Sequence, residues 1–194
     1  MTLREEGIEN TLLQVIADGR KCLVPYITGG FDGYLESISA AVEAGANAIE
    51  IGIPFSDPVM DGPTIQAAND IVLSDRVTPL QIIDEIASLD VDIPLAVMTY
   101  YNVVYRFGLE RFASNLSEAR ISGIILPDLP LIEASSWKSA ADTNNREAIL
   151  LAAPTTTQEH LKRVCEETRG FVYAVGLLGI TGARKELAES AKII

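Results

Sequence analysis

Glu50 is the residue whose type and position point most directly to chemistry. It lies between Ile49 and Ile51 in the apolar run NAIEIGI, residues 47–53, which predicts a buried strand. An ionised carboxylate is costly if it is fully buried and unpaired, so this one either pairs with a basic side chain or points into a functional cleft. No basic residue stands out nearby in the sequence. Because partial burial raises the pKa of a carboxyl group toward neutrality, we interpret Glu50 as a candidate general acid–base residue.

Two aspartates, Asp57 and Asp61, follow on the loop PFSDPVMDGP, residues 54–63. Ser-Asp-Pro and Asp-Gly-Pro are common in turns, so each aspartate taken alone is explained by hydrogen bonds to the local backbone. The loop is nevertheless longer than a turn requires, and its three prolines stiffen it. Long but restrained loops are more often functional than ornamental, which makes both aspartates candidates for the same site.

Other predicted strands carry apolar and aromatic residues that could form a binding slot. The members of this set are Tyr26, Met98, Tyr100, Ile125 and Tyr173. Core packing explains each of them, but together on an inward face they would suit a flat ring. The stretch GLLGITGAR, residues 176–184, is either a flexible connection or a lid that brings Thr181 into the site. No dinucleotide-binding or P-loop spacing is present, and a single histidine without a cysteine–histidine cluster argues against a metal site.

The elements that would position these residues alternate along the chain. Strands are predicted at 22–28, 47–53, 93–101, 122–130 (with its exit loop), 147–154 and 170–176. Helices are predicted at 8–19, 33–46, 64–75, 78–90, 109–120, 132–145, 157–169 and 184–194. The strands are continuous apolar runs, which is typical of parallel strands covered on both faces. The unusual loops, including YYNVVYRFG at 100–108 and PDLP at 127–130, all follow strands, so we expect the site at the carboxyl ends of the strands.

The fold class that follows is α/β, with six βα units in a single domain over residues 1–194 and a helix at the N-terminal end. A closed (β/α)₈ barrel needs eight units and about 250 residues, so the pattern leaves two architectures open. One is an open doubly wound sheet, and the other is an incomplete barrel.

Composition and charge exclude several classes of partner. The 194 residues are 48% hydrophobic with a net charge of −12, which argues against nucleic acid or an anionic membrane as the main partner. No apolar run is long enough to cross a bilayer, and MTLREEGIENTLLQ has no signal-peptide core, so we expect a cytoplasmic protein. Cys22, in a predicted strand, and Cys165, in a predicted helix, are expected to be two reduced, buried thiols.

The stretch IEIGIPFSDPVMDGPTIQ closely resembles the signature of the tryptophan synthase α subunit family. The resemblance continues in order through VPYIT, MTYYNVV, GIILPDLP, LLAAPTTT and GFVYAVGLLGITGAR. It implies a (β/α)₈ TIM barrel that cleaves indole-3-glycerol phosphate to indole and glyceraldehyde 3-phosphate. It also implies an α2β2 complex with a β subunit that carries pyridoxal phosphate and receives indole through a tunnel. No cofactor is expected in this chain.

The resemblance also assigns roles by position. Glu50 matches the family's acid–base glutamate, and Asp61 matches the aspartate that binds the indole N–H. Four residues match indole-pocket positions: Tyr26, Met98, Ile125 and Tyr173. Thr181 matches a lid threonine that orients Asp61, and Gly182 matches a position beside the phosphate. Pro54, Asp57 and the PDLP loop with Asp128 fall in regions that meet the β subunit.

Two departures from the family pattern qualify these assignments. GGFDG stands where the family has GDP after the first strand, and the chain stops after the sixth strand. The alternatives are therefore a catalytically weak barrel fragment or another phosphate-binding barrel lyase or isomerase. We expect a polypeptide of residues 1–194 to be an inefficient lyase that is less stable than a full barrel or self-associates, or else strands one and six to be separated by a gap.

Overall fold

The computed structural model describes residues 7–175, in which short strands and helices alternate. The strands are β1 (Tyr26–Thr28), β2 (Ile49–Gly52), β3 (Leu95–Met98), β4 (Gly123–Ile125), β5 (Glu147–Ala152) and β6 (Val172–Ala174). The helices are α1 (Ile8–Ala17), α2 (Tyr34–Glu43), α3 (Pro63–Ser74), α4 (Pro79–Ala87), α5 (Tyr101–Phe107), α6 (Leu109–Glu118), α7 (Ser135–Thr143) and α8 (Gln158–Glu167). A 3₁₀ turn, Leu131–Glu133, precedes α7.

The order of the strands decides between the two predicted architectures. All six strands are parallel and follow one another in the sheet in sequence order, β1 to β6. A doubly wound sheet reverses its strand order at a switch point, whereas a barrel does not. Within residues 7–175 no pairing joins β1 to β6. The described chain therefore has the α/β architecture of the (β/α)₈ barrel family, with the first six strands in place.

The two faces of the sheet are covered differently, as a barrel requires. Ile49 and Ile51 of β2 face outward, into the core formed with helices α2, α4, α6 and α7. Ala48, together with apolar residues of β3, β4 and β5, faces the other way into a second cluster. Since side chains alternate along a strand, Glu50 shares this inner face.

Helix α1 covers the inner face. Ile8 and Leu12 join the inner apolar cluster, and the absence of a side chain at Gly123 makes room for Ile8, whose Cδ1 lies 2.8 Å from where a β-carbon would be. The start of α1 is held by Glu147 of β5, whose carboxylate oxygens accept the N–H groups of Ile8 at 2.8 Å and Glu9 at 2.9 Å. Because Gly7 has no side chain to cap the helix, a strand carboxylate supplies the missing acceptors.

Replacing Glu147 with alanine should therefore destabilise the fold. We expect a loss of about 2 kcal/mol in the free energy of unfolding, since two charge-assisted hydrogen bonds disappear from a helix N-terminus. Glu147→Gln, which keeps one acceptor oxygen, should lose roughly half as much. Urea denaturation measures the change, with Glu110→Ala in the exposed first turn of α6 as the matched control. Equal effects at the two positions would contradict the capping role.

The structure differs from the sequence prediction between β3 and α6. Residues 100–108 were expected to form a loop and the strand to reach Tyr101, but β3 ends at Met98 and residues 101–107 form helix α5. The reason is that a residue distant in the sequence caps the N-terminus of α5. Asp128, in the loop after β4, accepts the Tyr101 N–H at 2.8 Å. A contact across 27 residues has no local signature in the sequence.

Cys22 and Cys165 are free thiols as predicted, but their predicted burial was wrong. Cys22 precedes β1, which begins only at Tyr26, and is half-buried with its thiol 3.6 Å from the Leu12 carbonyl. Cys165 lies in α8 as predicted but is exposed, not buried. The predicted helix over 184–194 lies outside the described residues. In the described part of the chain no helix is both long and apolar enough to cross a membrane.

Candidate active site

Glu50 lies on the inner face of the sheet and is almost completely buried. On β2 it is level with Tyr26 of β1 and Ala96 of β3, and 5% of its surface is exposed. No ion pair among residues 7–175 includes Glu50, and in this part of the chain its Oε1 is buried without a hydrogen-bond partner. Burial first, and then the negative charge of Asp61, raise the pKa of Glu50 to about 7. A carboxyl with this pKa exchanges its proton readily near neutral pH.

Asp61 is buried at the end of the loop that follows β2 and is held by several partners. Asn69 Nδ2 donates to Asp61 Oδ2 at 3.2 Å, and Gln66 Nε2 donates to the Asp61 carbonyl at 2.8 Å. The Tyr100 hydroxyl accepts the Met60 N–H at 3.1 Å, so its proton is free for the carboxylate of Asp61, with which it interacts. Burial raises the pKa of Asp61, while the hydrogen bonds from Tyr100 and Asn69 oppose that rise. The carboxylate is thus fixed by Tyr100, which follows β3, and by Asn69 of α3.

Four of the five predicted slot residues do share the inner face. Met98 and Ile125 belong to its buried cluster, and Tyr26 and Tyr173 pack against it. Tyr100 is different: its ring stacks on Phe55 with a centroid separation of 5.0 Å, and its hydroxyl reaches the Asp61 loop. Tyr100 therefore supports Asp61 from outside the apolar cluster.

The phenols of the inner face remain neutral beside the two carboxyl groups. Burial, and then the charges of Glu50 and Asp61, raise the pKa of Tyr173 to about 12. Burial, and then the charge of Asp61, also raise the pKa of Tyr26. Neutral aromatic walls with two acids can bind a flat apolar ring, move a proton to or from it, and stabilise positive charge on it.

Three of the remaining predicted residues, Asp57, Pro54 and Asp128, lie in the described part of the chain. Asp57 is exposed and accepts the Ser56 hydroxyl at 2.6 Å, which fits the local turn interpretation. Pro54 is buried within the chain. Asp128 is exposed in the loop after β4 and accepts the N–H of Tyr101, the first residue of α5. Thr181 and Gly182 lie outside the described residues. In residues 7–175 no group of three or more histidine, cysteine, aspartate or glutamate side chains could hold a metal ion.

Asn69 was not singled out by the sequence analysis, although it holds Asp61. A signal was present: Asn69 shares the buried face of α3 with Val72, three residues later. An amide on the apolar face of a helix needs a partner, and here the partner is a carboxylate eight residues earlier. Its Oδ1 is buried without a partner among the described residues.

Comparison with known proteins gives one consistent family. The family model described as tryptophan synthase alpha chain matches residues 12–193. A protein of that description from Methanosarcina mazei is 43% identical over 173 residues, which cover 88% of this chain and 64% of that protein. A protein of that description from Streptomyces avermitilis is 38% identical over 194 residues, and the aligned region covers 70% of that protein. The chain thus spans less than two thirds of the Methanosarcina mazei relative.

Solved structures agree with the sequence comparison. A structure of Mycobacterium tuberculosis tryptophan synthase is similar with a TM-score of 0.87 and 35% identity, over 95% of this chain and 73% of that one. A crystal structure of tryptophan synthase subunit alpha from Legionella pneumophila is similar with a TM-score of 0.81 and 32% identity, over 90% and 68% of the two chains. Both similarities therefore cover nine tenths or more of this chain.

Proposed function

The chain belongs to the tryptophan synthase alpha chain family, and from that premise we propose that it cleaves indole-3-glycerol phosphate to indole and glyceraldehyde 3-phosphate. The observation that carries the proposal is the pair of buried carboxyl groups, Glu50 and Asp61, on an aromatic and apolar inner face. Their environments differ. Asp61 is held by donors, whereas one oxygen of Glu50 has no hydrogen-bond partner within residues 7–175.

In this proposal Asp61 stabilises charge on the ring. The bond that breaks joins indole C3 to the carbinol carbon of the substrate, and it weakens only after C3 is protonated. Protonation leaves a positive charge that spreads to the indole nitrogen, where the N–H faces the Asp61 carboxylate. Asn69 and Tyr100 keep that carboxylate in place, so little reorganisation is needed as the charge develops.

Glu50 transfers the protons. With a pKa of about 7 it is partly protonated at neutral pH and can donate its proton to indole C3. The resulting carboxylate accepts the proton of the carbinol hydroxyl as the C3–carbon bond breaks. The electron pair of that bond returns to the ring, the carbinol carbon becomes the aldehyde of glyceraldehyde 3-phosphate, and Glu50 is protonated again. Outside the described residues, Thr181 would orient Asp61 and Gly182 would lie beside the phosphate.

The test is product analysis on the purified protein. Incubation with indole-3-glycerol phosphate should release indole and a triose phosphate aldehyde in equal amounts, measured by chromatography and by a coupled dehydrogenase. Glu50→Gln serves as the background control. A folded protein that releases no more indole than this variant would contradict the proposal, and a product with the mass of the substrate would indicate a barrel isomerase instead.

We also propose the tryptophan synthase β subunit as the partner, in an α2β2 complex in the cytoplasm. Three large apolar residues are exposed after successive strands: Val59 after β2 (72% exposed), Tyr105 after β3 (67%) and Ile132 after β4 (78%). They lie in a loop, in helix α5 and in the 3₁₀ turn, all in segments that follow the carboxyl ends of the strands. Exposed apolar side chains on one side of a fold favour an interface with another protein. Asp57 and Asp128 lie in the same two connecting segments as Val59 and Ile132 and are exposed. Pro54 is buried, so its region would contact the β subunit through exposed neighbours of that proline. The pyridoxal phosphate belongs to the β subunit, and this chain needs no cofactor of its own.

Replacing Ile132 with aspartate should weaken that complex. We expect the dissociation constant for the β subunit to rise by about tenfold or more, because an interface residue becomes charged. The free energy of unfolding of the isolated chain should change by less than about 0.5 kcal/mol, as is usual for exposed positions. Titration calorimetry measures the first quantity, with Ile71→Asp on the exposed side of α3 as the control. Equal losses at both positions would contradict this interface.

A further inference from the structure

We propose that Tyr26 and Gly52 act as one unit in which the phenol of Tyr26 lies over the bare backbone of Gly52 and positions the carboxyl group of Glu50. Tyr26 is then a positioning residue, and Gly52 is the residue that makes room for it. The arrangement itself is a matter of packing, whereas its consequence for catalysis rests on the proposed function.

The strand register defines where the phenol lies. Tyr26 is level with Glu50, and Thr28 is level with Gly52. Gly52 is therefore one pleat nearer the carboxyl end of β2 than Glu50 and shares its inward direction. A β-carbon built at Gly52 would lie 2.4 Å from Tyr26 Cζ and 2.8 Å from Cε2, and it would overlap the hydroxyl oxygen. The ring thus leans from β1 across β2 and takes the space that a side chain at position 52 would need.

In this proposal the phenol shields Glu50 from water on the β1 side. The phenol lies over Gly52, two residues nearer than Glu50 to the carboxyl end of β2, which is the end where substrate enters a barrel site. Glu50 is 5% exposed, yet its Oε1 has no hydrogen-bond donor in the described chain to fix it. The surfaces that enclose the side chain therefore help to set the position of this oxygen. On the β1 side that surface is the phenol, which also interacts with the side chain of Thr28.

Only a residue without a side chain permits this contact. Alanine at position 52 would force the ring away, because the backbone of β2 cannot yield without breaking its pairing with β1 and β3. A displaced ring admits water to Glu50. The other ionisable groups that interact with Glu50 are Asp61 on the loop after β2 and Tyr173 on β6. Neither of these residues is itself substituted, so we expect a change in the pKa of Glu50 to come from the displaced phenol of Tyr26.

The experiment is a pH titration of the Glu50 carboxyl carbon by NMR in the complete, ligand-free protein. In the unsubstituted protein the midpoint should lie at about 7. Tyr26→Phe, which keeps the ring, should leave the midpoint within about 0.3 units, because the ring and not the hydroxyl shields Glu50 from water. Tyr26→Ala and Gly52→Ala should each lower it by about 1 unit or more as water reaches the carboxylate.

The double variant is the sharpest test. With alanine at both positions there is no ring to collide with, so its midpoint should equal that of Tyr26→Ala alone instead of showing two added shifts. Tyr173→Ala, which removes another inner-face phenol, should shift the midpoint by less than half as much. Additive effects, an unchanged midpoint in Gly52→Ala, or an equal shift in Tyr173→Ala would overturn the proposal. If Gly52→Ala does not fold, the two Tyr26 variants and Tyr173→Ala decide the matter.

Failure of this inference is separable from failure of the proposed function. The titration needs no substrate and no turnover. A protein that follows the expected titrations but releases no indole refutes the lyase activity alone. A protein that releases indole but titrates identically in all variants refutes the Tyr26–Gly52 unit alone.

Discussion

Glu50→Gln is expected to lower kcat for indole release by about 10²–10⁴-fold, the usual contribution of a general acid–base group. Glutamine has nearly the same shape but neither donates nor accepts the proton, so binding of indole-3-glycerol phosphate should persist. Single-turnover kinetics separates the two effects. Near-normal turnover in a folded variant would remove Glu50 from its catalytic role.

The same substitution should stabilise the chain at alkaline pH. The pKa of Glu50 is raised from an ordinary value of 4.5 to about 7, so between these values the folded state binds more protons than the unfolded state. The free energy of unfolding therefore falls as pH rises through this window and levels off above it. Glu50→Gln removes that dependence, and at pH 8 the gain should be on the order of 2–3 kcal/mol. Urea denaturation at pH 5 and pH 8 measures the gain in the free energy of unfolding. Parallel pH dependences in Glu50→Gln and the unsubstituted protein would show that charged Glu50 does not destabilise the fold.

Asp61→Asn is expected to cost about 10²–10³-fold in kcat, because a neutral amide stabilises a cationic ring far less than a carboxylate does. It should also lower the pKa of Glu50, since the charge of Asp61 is one of the two causes of the raised value. The carboxyl-carbon titration of Glu50 therefore gives a readout that does not depend on turnover.

Asp57→Asn is the matched control for this prediction. Asp57 lies on the same loop but is exposed and bonded to Ser56, so its loss should leave both kcat and the Glu50 titration nearly unchanged. If Asp61→Asn left the titration of Glu50 where it was, the two carboxyl groups would not share one site.

Glu50 destabilises the fold when it is charged but is needed for the proposed reaction, and this conflict explains why it could be identified from the sequence. A carboxylate between two isoleucines breaks the local rule for a buried strand, and such breaks are concentrated at functional sites. Alternation along β2 then places Ile49 and Ile51 in the outer core and Glu50 inside. The positions of most strands and helices were predictable in the same way, because apolar runs and helical periodicity are local properties of the chain.

What only the tertiary structure decided concerns residues far apart in the sequence. Strand order distinguished a barrel from a doubly wound sheet. A hydrogen bond from the Tyr101 N–H to Asp128 caps helix α5 where a loop was predicted, and the ring of Tyr26 lies over Gly52 on the neighbouring strand. Each depends on how strands are ordered or where side chains meet after the sheet has formed. Sequence patterns record which face a residue prefers, whereas the identity of its neighbours on that face is set by register and packing across the whole sheet.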